Sequence, residues 1–204
     1  MKFILFVEGE TERQSLPKFF KQWLDSRLSK PVGISPVCFH GNDKYLTEVK
    51  KRAGLYLLNQ DVIAVIGLLD LYGLNFPAHL NDAKERYDWA KQDIEKRINH
   101  PKFHQFFAVH ELEAWALSDP TLFPAQVKNA FPSAVAKPES VNFNQPPAKL
   151  LEKLFSEKLK RPYKKVVDGN GLFGKLDPNL AYQKCQRLKD LLDEMLNLAK
   201  ASEH

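Results

Sequence analysis

The chain has too little cysteine for a disulfide framework and no apolar run long enough to cross a membrane. Cys38 and Cys185 are its only cysteines among 204 residues, and they form no paired ligand motif. Neither a disulfide scaffold nor a zinc knuckle is therefore predicted. The most apolar run ends at Leu69 and has about half of the ~18 residues that a membrane span requires. The start at Met1 shows no signal-peptide cleavage site, so we expect a reduced, cytoplasmic protein without membrane association.

Several common catalytic fingerprints are also missing. The sequence contains no serine elbow, no Walker lysine loop and no glycine-rich dinucleotide motif. His110-Glu111 begins as a zinc-protease motif does, but Ala114 stands where the second histidine is required, so that class is rejected. Gly169-Asn170-Gly171 is an isolated turn signal, too weak to predict a phosphate-binding loop.

The pattern of apolar runs predicts an α/β fold. With 44% hydrophobic and 27% charged residues, a chain of this length can bury a full core as a single domain. Continuous apolar runs alternating with amphipathic segments predict β-α-β-α-β-α-β units, right-handed crossovers and a mainly parallel four-stranded sheet. The predicted strands end at Val7, His40, Leu69 and Val109, and the helices between them cover about 12–28, 42–58 and 80–98.

The chain changes character after this alternating region. We divide it into an α/β core over 1–118 and a helical, basic C-terminal extension over 119–204, punctuated by prolines. Asp177-Pro178 predicts the start of one final helix, with Asp177 as its N-cap and Pro178 as its first helical residue.

Acidic residues follow three of the predicted strands, at the point where each strand ends. They are Glu8 and Glu12 after the first strand, Asp70 after the third, and Glu111 and Glu113 after the fourth. Ligand sites of parallel sheets lie beyond the carboxyl ends of the strands, so these carboxylates should meet at one edge. Because Mg²⁺ and Mn²⁺ prefer carboxylate oxygens, the pattern predicts a divalent-metal site.

Most of these positions also have a structural interpretation. Thr11 with Gln14 fits a capping box, and Glu12 in a first turn complements the helix dipole. Asp70 is suited to capping a turn. Glu8, at the end of a buried strand, has no such structural interpretation, so a functional role is favoured for it. For His110 a structural role at the strand end is favoured over orienting a ligand.

Positive charge is concentrated in the C-terminal third. Between Lys149 and Lys189 there are 11 lysines and arginines against 4 acidic residues, whereas the whole chain carries +5. A basic segment beside an acidic sheet edge suits a polyanion such as nucleic acid, although such side chains can equally solvate helix faces. The candidate phosphate-binding residues are Lys160, Arg161, Lys164, Lys165 and Lys175.

Taken together, these motifs resemble a Toprim domain. The resemblance rests on Val7-Glu8-Gly9-Glu10-Thr11-Glu12, Asp70-Leu71-Tyr72-Gly73, His110-Glu111-Leu112-Glu113-Ala114-Trp115 and Tyr163-x-Lys165-x-x-x-Gly169. The chain is similar to the overcoming-lysogenization-defect (OLD) nucleases and to small free-standing Toprim-like bacterial proteins of unknown function. The second resemblance covers nearly the whole chain.

The resemblance implies a fold of four parallel strands between helices and a magnesium-dependent phosphodiester chemistry. It implies that Glu8 is the metal-linked acid or base and that Lys165 stabilises phosphate charge. The implied further metal ligands are Glu12, Asp70 and Glu113. It also implies an ATPase partner and a bacterial defence context.

One residue departs from the Toprim pattern. Tyr72 replaces the second aspartate of the usual Asp-x-Asp motif, so either Glu111 or Glu113 compensates or catalysis is reduced or absent. We therefore predict a Mg²⁺- or Mn²⁺-dependent nuclease that acts on DNA or RNA. The alternative is a catalytically weak or inactive Toprim-like nucleic-acid-binding or regulatory subunit of an ATPase.

Overall fold

Four parallel strands form the centre of the structure, a computed structural model that describes residues 1–141 and 145–203. They are β1 (Lys2–Val7), β2 (Gly33–Cys38), β3 (Val62–Asp70) and β4 (Phe103–Ala108). Their order across the sheet is β2-β1-β3-β4, and each neighbouring pair is parallel. The parallel four-stranded sheet predicted from the sequence is confirmed.

Helices connect these strands and cover both faces of the sheet. The connecting helices are α1 (Glu10–Asp25), α2 (Asn42–Leu57) and α3 (Ala83–Ile98). The apolar spacing of α1 predicts the side chains that it buries, namely Leu16, Phe19, Phe20, Trp23 and Leu24. The crossovers therefore have the predicted order, and their bounds differ from the prediction by a few residues.

Alternate residues of β1 face opposite sides of the sheet. Phe3 and Leu5 belong to the core that contains α1 and the C-terminal helices. Ile4 and Phe6 belong to the core formed with α2 and α3. Burying each side chain of this kind contributes about 1.5–3 kcal/mol. Because both faces are covered, the central strands β1 and β3 are apolar without alternation.

Helices also make up most of the chain after β4. They are α4 (Glu113–Leu117), α5 (Ala125–Lys128), α6 (Pro147–Leu159), α7 (Lys165–Phe173), α8 (Pro178–Lys184) and α9 (Gln186–Ala201). Short 3-10 turns lie at Pro120–Leu122, Ser133–Ala136 and Pro138–Ser140. The described part of the chain contains no helix with both the length and the hydropathy of a membrane span.

The prediction of one final helix is wrong, because the chain forms two. Asp177 caps α8 as predicted, and its carboxylate accepts a hydrogen bond from the backbone N–H of Asn179. The backbone becomes extended at Cys185, and α9 begins at the next residue. The carboxylate of Glu139, 48 residues away, accepts the backbone N–H of Arg187 and so stabilises the second start.

The predicted capping box at the start of α1 is also wrong. Only Glu8 and Gly9 separate β1 from α1, so Gly9 is the N-cap and no side chain caps the helix there. Thr11 is instead buried within the first turn. The backbone N–H of Gly9 hydrogen-bonds the carboxylate of Glu12, which stands at the third helical position.

Candidate active site

Side chains from four parts of the chain meet beyond the carboxyl edge of the sheet. Glu8 follows β1, Asp70 ends β3, Glu113 begins α4 and Lys165 begins α7. The Lys165 Nζ lies 3.3 Å from Asp70 Oδ2 and 3.6 Å from Glu113 Oε2. Because β1 and β3 are parallel neighbours, Glu8 and Asp70 leave the sheet at the same edge.

An open cavity of about 380 Å³ lies at this edge. Glu8 and Glu12 line it on the side of α1, and Asp70 and Lys165 line it on the side of β3 and α7. The structure thus brings four of the predicted site residues to one cavity. Glu113 reaches the same group of charges through its contact with Lys165.

Asp70 uses its two carboxylate oxygens differently. The Oδ1 atom accepts the backbone N–H of Leu112 at 2.9 Å, which fixes the segment after β4 against the end of β3. The Oδ2 atom accepts a hydrogen bond from the Lys165 ammonium at 3.3 Å. The residue therefore has the structural role of a capping aspartate and also presents a charged oxygen to the cavity.

Glu111 and Glu113 differ in their surroundings. Glu111 Oε2 accepts the backbone N–H of Ala148 at 2.8 Å and thereby satisfies the first turn of α6. Glu113 is 2% exposed, and among the described residues its Oε2 has no hydrogen-bond partner. Glu113 is therefore more available than Glu111 to bind a cation.

Burial and mutual repulsion raise the pKa of the acidic groups. Burial, followed by the charges of Asp70 and Glu12, raises the pKa of Glu8 to about 7. Burial raises the pKa of Glu113 to about 8, although Lys165 opposes the shift. Burial is also the main cause of the raised pKa of Glu12. The site thus holds more carboxylate groups than its surroundings can keep ionised.

Lys165 is the cation among these acids. Burial alone would lower the pKa of its ammonium group, but the nearby carboxylates, Asp70 first and Glu113 next, raise it above its ordinary value. Lys165 therefore stays charged at neutral pH, and one cation faces several acids. A fixed positive group of this kind can stabilise charge on a phosphate oxygen.

The packing of α7 explains how Lys165 reaches the acids. Gly169 lies inside α7, so the interpretation of 169–171 as a turn is wrong. A Cβ on Gly169 would lie 3.1 Å from the Thr11 Cγ2, a tighter approach than side chains normally make. Glycine therefore lets α7 pack closely against the first turn of α1, which places Lys165 over the cavity.

The donor set fits a hard divalent cation, although its oxygens are not closely gathered. Glu113 Oε2 has no hydrogen-bond partner among the described residues, and several buried carboxyl groups face the single ammonium of Lys165. Mg²⁺ or Mn²⁺ would take the place of the protons that these buried groups hold. Among the described residues, however, the predicted acids bring no three ligand atoms within 4.8 Å of one another.

A second group of ligand atoms was not predicted from the sequence. Glu10, Cys38 and His40 each place one ligand atom within 4.8 Å of the others. The only local signal is the Cys38-Phe39-His40 spacing at the end of the second strand. Glu10 lies close to these two residues because β1, which leads into α1, is paired with β2. The Cys38-Phe39-His40 spacing alone does not reveal this pairing.

The remaining predicted basic residues lie away from the acids. The Arg161 guanidinium donates to both carboxylate oxygens of Asp168, at 2.9 and 2.8 Å, and is thus already paired. Lys175 lies beyond the far end of α7, whose nine residues span about 12 Å. Lys160 and Lys164 are exposed to solvent.

His110 is buried next to the site. Burial, followed by the charge of Arg86, lowers the pKa of its imidazole to about 4. The side chain is therefore neutral near pH 7. The backbone carbonyl of His110 accepts the N–H of Tyr72 at 2.9 Å.

The raised pKa of Glu8 predicts a pH-dependent stability in the presence of a chelator. Its pKa rises from 4.5 to about 7 on folding, so the folded chain binds the proton more tightly than the unfolded chain. This stabilisation is complete below about pH 4.5 and is lost as the pH rises through about 7. Allowing for solvent screening, we expect about 1–2 kcal/mol in the free energy of unfolding.

Denaturant titrations between pH 5 and 8 would measure this loss. The groups that face Glu8 are Asp70, Glu12 and Lys165. Glu8→Gln should make the pH profile shallower, leaving the part that Glu12 and Glu113 contribute. Mg²⁺ should raise the stability of the wild type most at the alkaline end. Identical profiles for the wild type and Glu8→Gln would contradict the prediction.

The comparisons with known proteins agree with this architecture. The model of a domain of unknown function, DUF4276, matches residues 7–196. The C-terminal region of the Burkholderia pseudomallei OLD protein is 19% identical, with a TM-score of 0.53 over 97% of this chain and 98% of that one. This likeness shows a shared fold.

A second solved structure is also similar. The C-terminal region of the Xanthomonas campestris pv. campestris OLD protein is 18% identical, with a TM-score of 0.46 over 99% of this chain and 98% of that one. No curated protein matches the chain.

Proposed function

The chain belongs to the DUF4276 family of domains of unknown function, and we propose that it is a Toprim-like, divalent-metal-dependent nuclease. We propose that 1–204 form one such domain, with the α/β core at 1–118. The observation that carries the proposal is the convergence of Asp70, Glu113 and Lys165 at the carboxyl edge of a parallel sheet. Glu8 and Glu12 line the cavity beside them.

The acids would hold the cation and Lys165 would hold the phosphate. Glu8, Glu12, Asp70 and Glu113 are the proposed ligands of Mg²⁺ or Mn²⁺. When bound, such an ion supplies charge stabilisation to a phosphate ester under attack. The Lys165 ammonium, held by Asp70 and Glu113, provides a fixed positive charge for a nonbridging phosphate oxygen.

Glu8 is suited to moving a proton. Its pKa of about 7 places the carboxylate and the carboxylic acid close in free energy at neutral pH. A group with such a pKa can take a proton from an attacking water or return one to a leaving oxygen when it does not itself contact the cation. As a ligand, Glu8 would instead lose its proton to the bound charge. Glu111 is a weaker candidate ligand, because one of its oxygens caps α6.

A nucleic acid is the proposed polyanion. Lys160 and Lys164 are exposed and lie in the segment just before Lys165. Lys175, also exposed, adds positive charge beyond the end of α7. Such exposed lysines would contact backbone phosphates without reading sequence. We expect Arg161 to contribute less to phosphate binding than these lysines, because its guanidinium is paired with Asp168.

Tyr72 favours a second candidate function. Its side chain is 39% exposed and supplies no carboxylate where the Toprim pattern has an aspartate. The spacing of the acids points the same way, since no three of their ligand atoms lie close together among the described residues. This candidate is a catalytically weak or inactive nucleic-acid-binding subunit of an ATPase in bacterial defence.

A cleavage assay separates the two candidates. We expect the purified chain to cleave supercoiled DNA or RNA with Mn²⁺ or Mg²⁺, and to lose that activity with a chelator. Cleavage that appears only after an ATPase partner is added would assign a nuclease that requires that partner. Nucleic-acid binding without cleavage in either condition would favour the second candidate.

A further inference from the structure

Three ligand atoms of different chemistry meet at the end of β2. Cys38 is the last residue of β2, His40 follows two residues later, and Glu10 is the first residue of α1. The Cys38 Sγ lies 3.5 Å from His40 Nδ1, and His40 Nδ1 lies 3.9 Å from Glu10 Oε1. Glu10 and His40 also line the cavity of the candidate active site.

The Glu10 carboxylate is held with one oxygen directed at this group. Its Oε2 accepts hydrogen bonds from Arg13 Nε at 2.8 Å and from Gln14 Nε2 at 3.4 Å. The Arg13 Nη2 contacts the same oxygen at 2.7 Å. These donors occupy Oε2 and leave Oε1 turned towards His40.

The His40 backbone is fixed on both sides. The N–H of Phe39 donates to the carbonyl of Val7 at 3.0 Å, and the N–H of Gly41 donates to the carbonyl of Glu8 at 3.2 Å. Between them, His40 has a φ of 58°, in the left-handed region that few residues with a Cβ adopt. The backbone of His40 is thereby fixed, and its imidazole Nδ1 lies 3.5 Å from the Cys38 thiol.

We propose that Cys38, His40 and Glu10 bind one transition-metal ion of the Zn²⁺ class, at a site distinct from that of the hard cation. A tetrahedral zinc ion with ordinary bond lengths separates S and N ligands by about 3.5 Å and N and O ligands by about 3.4 Å. The first separation is already present, and the second needs a movement of about half an ångström.

The chemistry of the donors sets the choice of metal. Thiolate and imidazole ligands favour Zn²⁺, Co²⁺ and related ions, whereas Mg²⁺ prefers an all-oxygen set such as Asp70 with Glu113. On binding, the Cys38 thiol releases its proton to solvent and its hydrogen bond to the Glu8 carbonyl is replaced by the metal bond.

The proposed site leaves one coordination position free. Three protein ligands leave the fourth tetrahedral position for water or another oxygen. The His40 side chain is 63% exposed, so solvent reaches this position from the cavity. A phosphate oxygen of a polyanion in the cavity could therefore become the fourth ligand.

Cobalt absorption tests the site without any assay of activity. The full chain, reduced and freed of metal, is titrated with Co²⁺. We expect a thiolate-to-cobalt charge-transfer band that saturates at one equivalent and disappears when Zn²⁺ is added. Cys38→Ser should remove the band. His40→Asn, which tolerates the left-handed backbone, should weaken binding at least tenfold while circular dichroism stays unchanged.

Two matched variants complete the design. Cys185→Ala should keep the band, because the Cys185 thiol is fully buried and is not among the three grouped ligand atoms. Asp70→Asn should also keep the cobalt band, because Asp70 is a proposed ligand of the hard cation only. This variant therefore distinguishes loss of the hard-cation site from loss of the site at Cys38. The absence of a band at one equivalent, or a band that survives Cys38→Ser, would overturn the proposal.

Discussion

Replacing Asp70 with asparagine is expected to reduce metal-dependent cleavage by roughly 10³-fold, to the background of the assay. The change keeps the shape of the side chain and an oxygen that can accept the N–H of Leu112. It removes the negative charge that holds the Lys165 ammonium at 3.3 Å and that we assign to the cation. The fold should therefore survive while the site loses its central carboxylate.

Asp61→Asn is the matched control for this variant. Asp61 immediately precedes β3 at the opposite end of the strand from Asp70, and its side chain is exposed. Cleavage rates and thermal unfolding of both variants would be compared with the wild type. Equal losses in both, or undiminished cleavage by Asp70→Asn, would remove Asp70 from the proposed site.

The second large effect is expected for Lys165→Ala, which should lower the cleavage rate at saturating substrate by about 10²-fold. Its ammonium contacts Asp70 and Glu113 and so lies where a phosphate would meet the proposed cation. Removing it takes away the fixed positive charge without opening a core cavity, because the side chain is 41% exposed. Single-turnover kinetics would measure the rate of the chemical step.

Lys160→Ala provides the contrast with Lys165→Ala. Lys160 is exposed at the end of α6, and we expect its loss to weaken nucleic-acid binding with little change in the maximal rate. The slope of log affinity against log salt should decrease by about one for each phosphate contact removed. Small, equal effects of both substitutions, with no salt dependence, would mean that these lysines only solvate the surface.

The sheet was predictable because its central strands, β1 and β3, are continuous apolar runs. Residues 62–69 contain no polar side chain, and β3 lies between β1 and β4 with both faces covered. The acids at the ends of such strands must then share one edge. The convergence of Glu8 and Asp70 at one cavity follows from that topology and needs no knowledge of distant contacts.

Apart from the misplaced capping box at the start of α1, the errors and omissions concern features that depend on partners far away in sequence. The break between α8 and α9 is stabilised by Glu139, which no local pattern near Cys185 reveals. The Gly169 signal is that of a turn, but its glycine serves the close approach of α7 to α1. The group of Glu10, Cys38 and His40 exists only because β1 and β2 pair.

Lys165 was predicted as a site residue, but its contacts were not. Composition placed it in a basic segment with ten other lysines and arginines, and only the resemblance to a Toprim domain singled it out. The structure places its ammonium against Asp70, 95 residues earlier in the chain. Long-range ion pairs of this kind are set by helix packing and cannot be read from local spacing.

A calorimetric titration with Mg²⁺ tests the central claim most directly, because thiol and imidazole ligands do not favour this ion. We predict saturable binding to the wild type that strengthens as the pH rises through about 7, where the Glu8 carboxyl gives up its proton. Binding should disappear in Asp70→Asn and persist in Asp61→Asn. No binding to the wild type at millimolar Mg²⁺, or unchanged binding to Asp70→Asn, would contradict the proposed metal site.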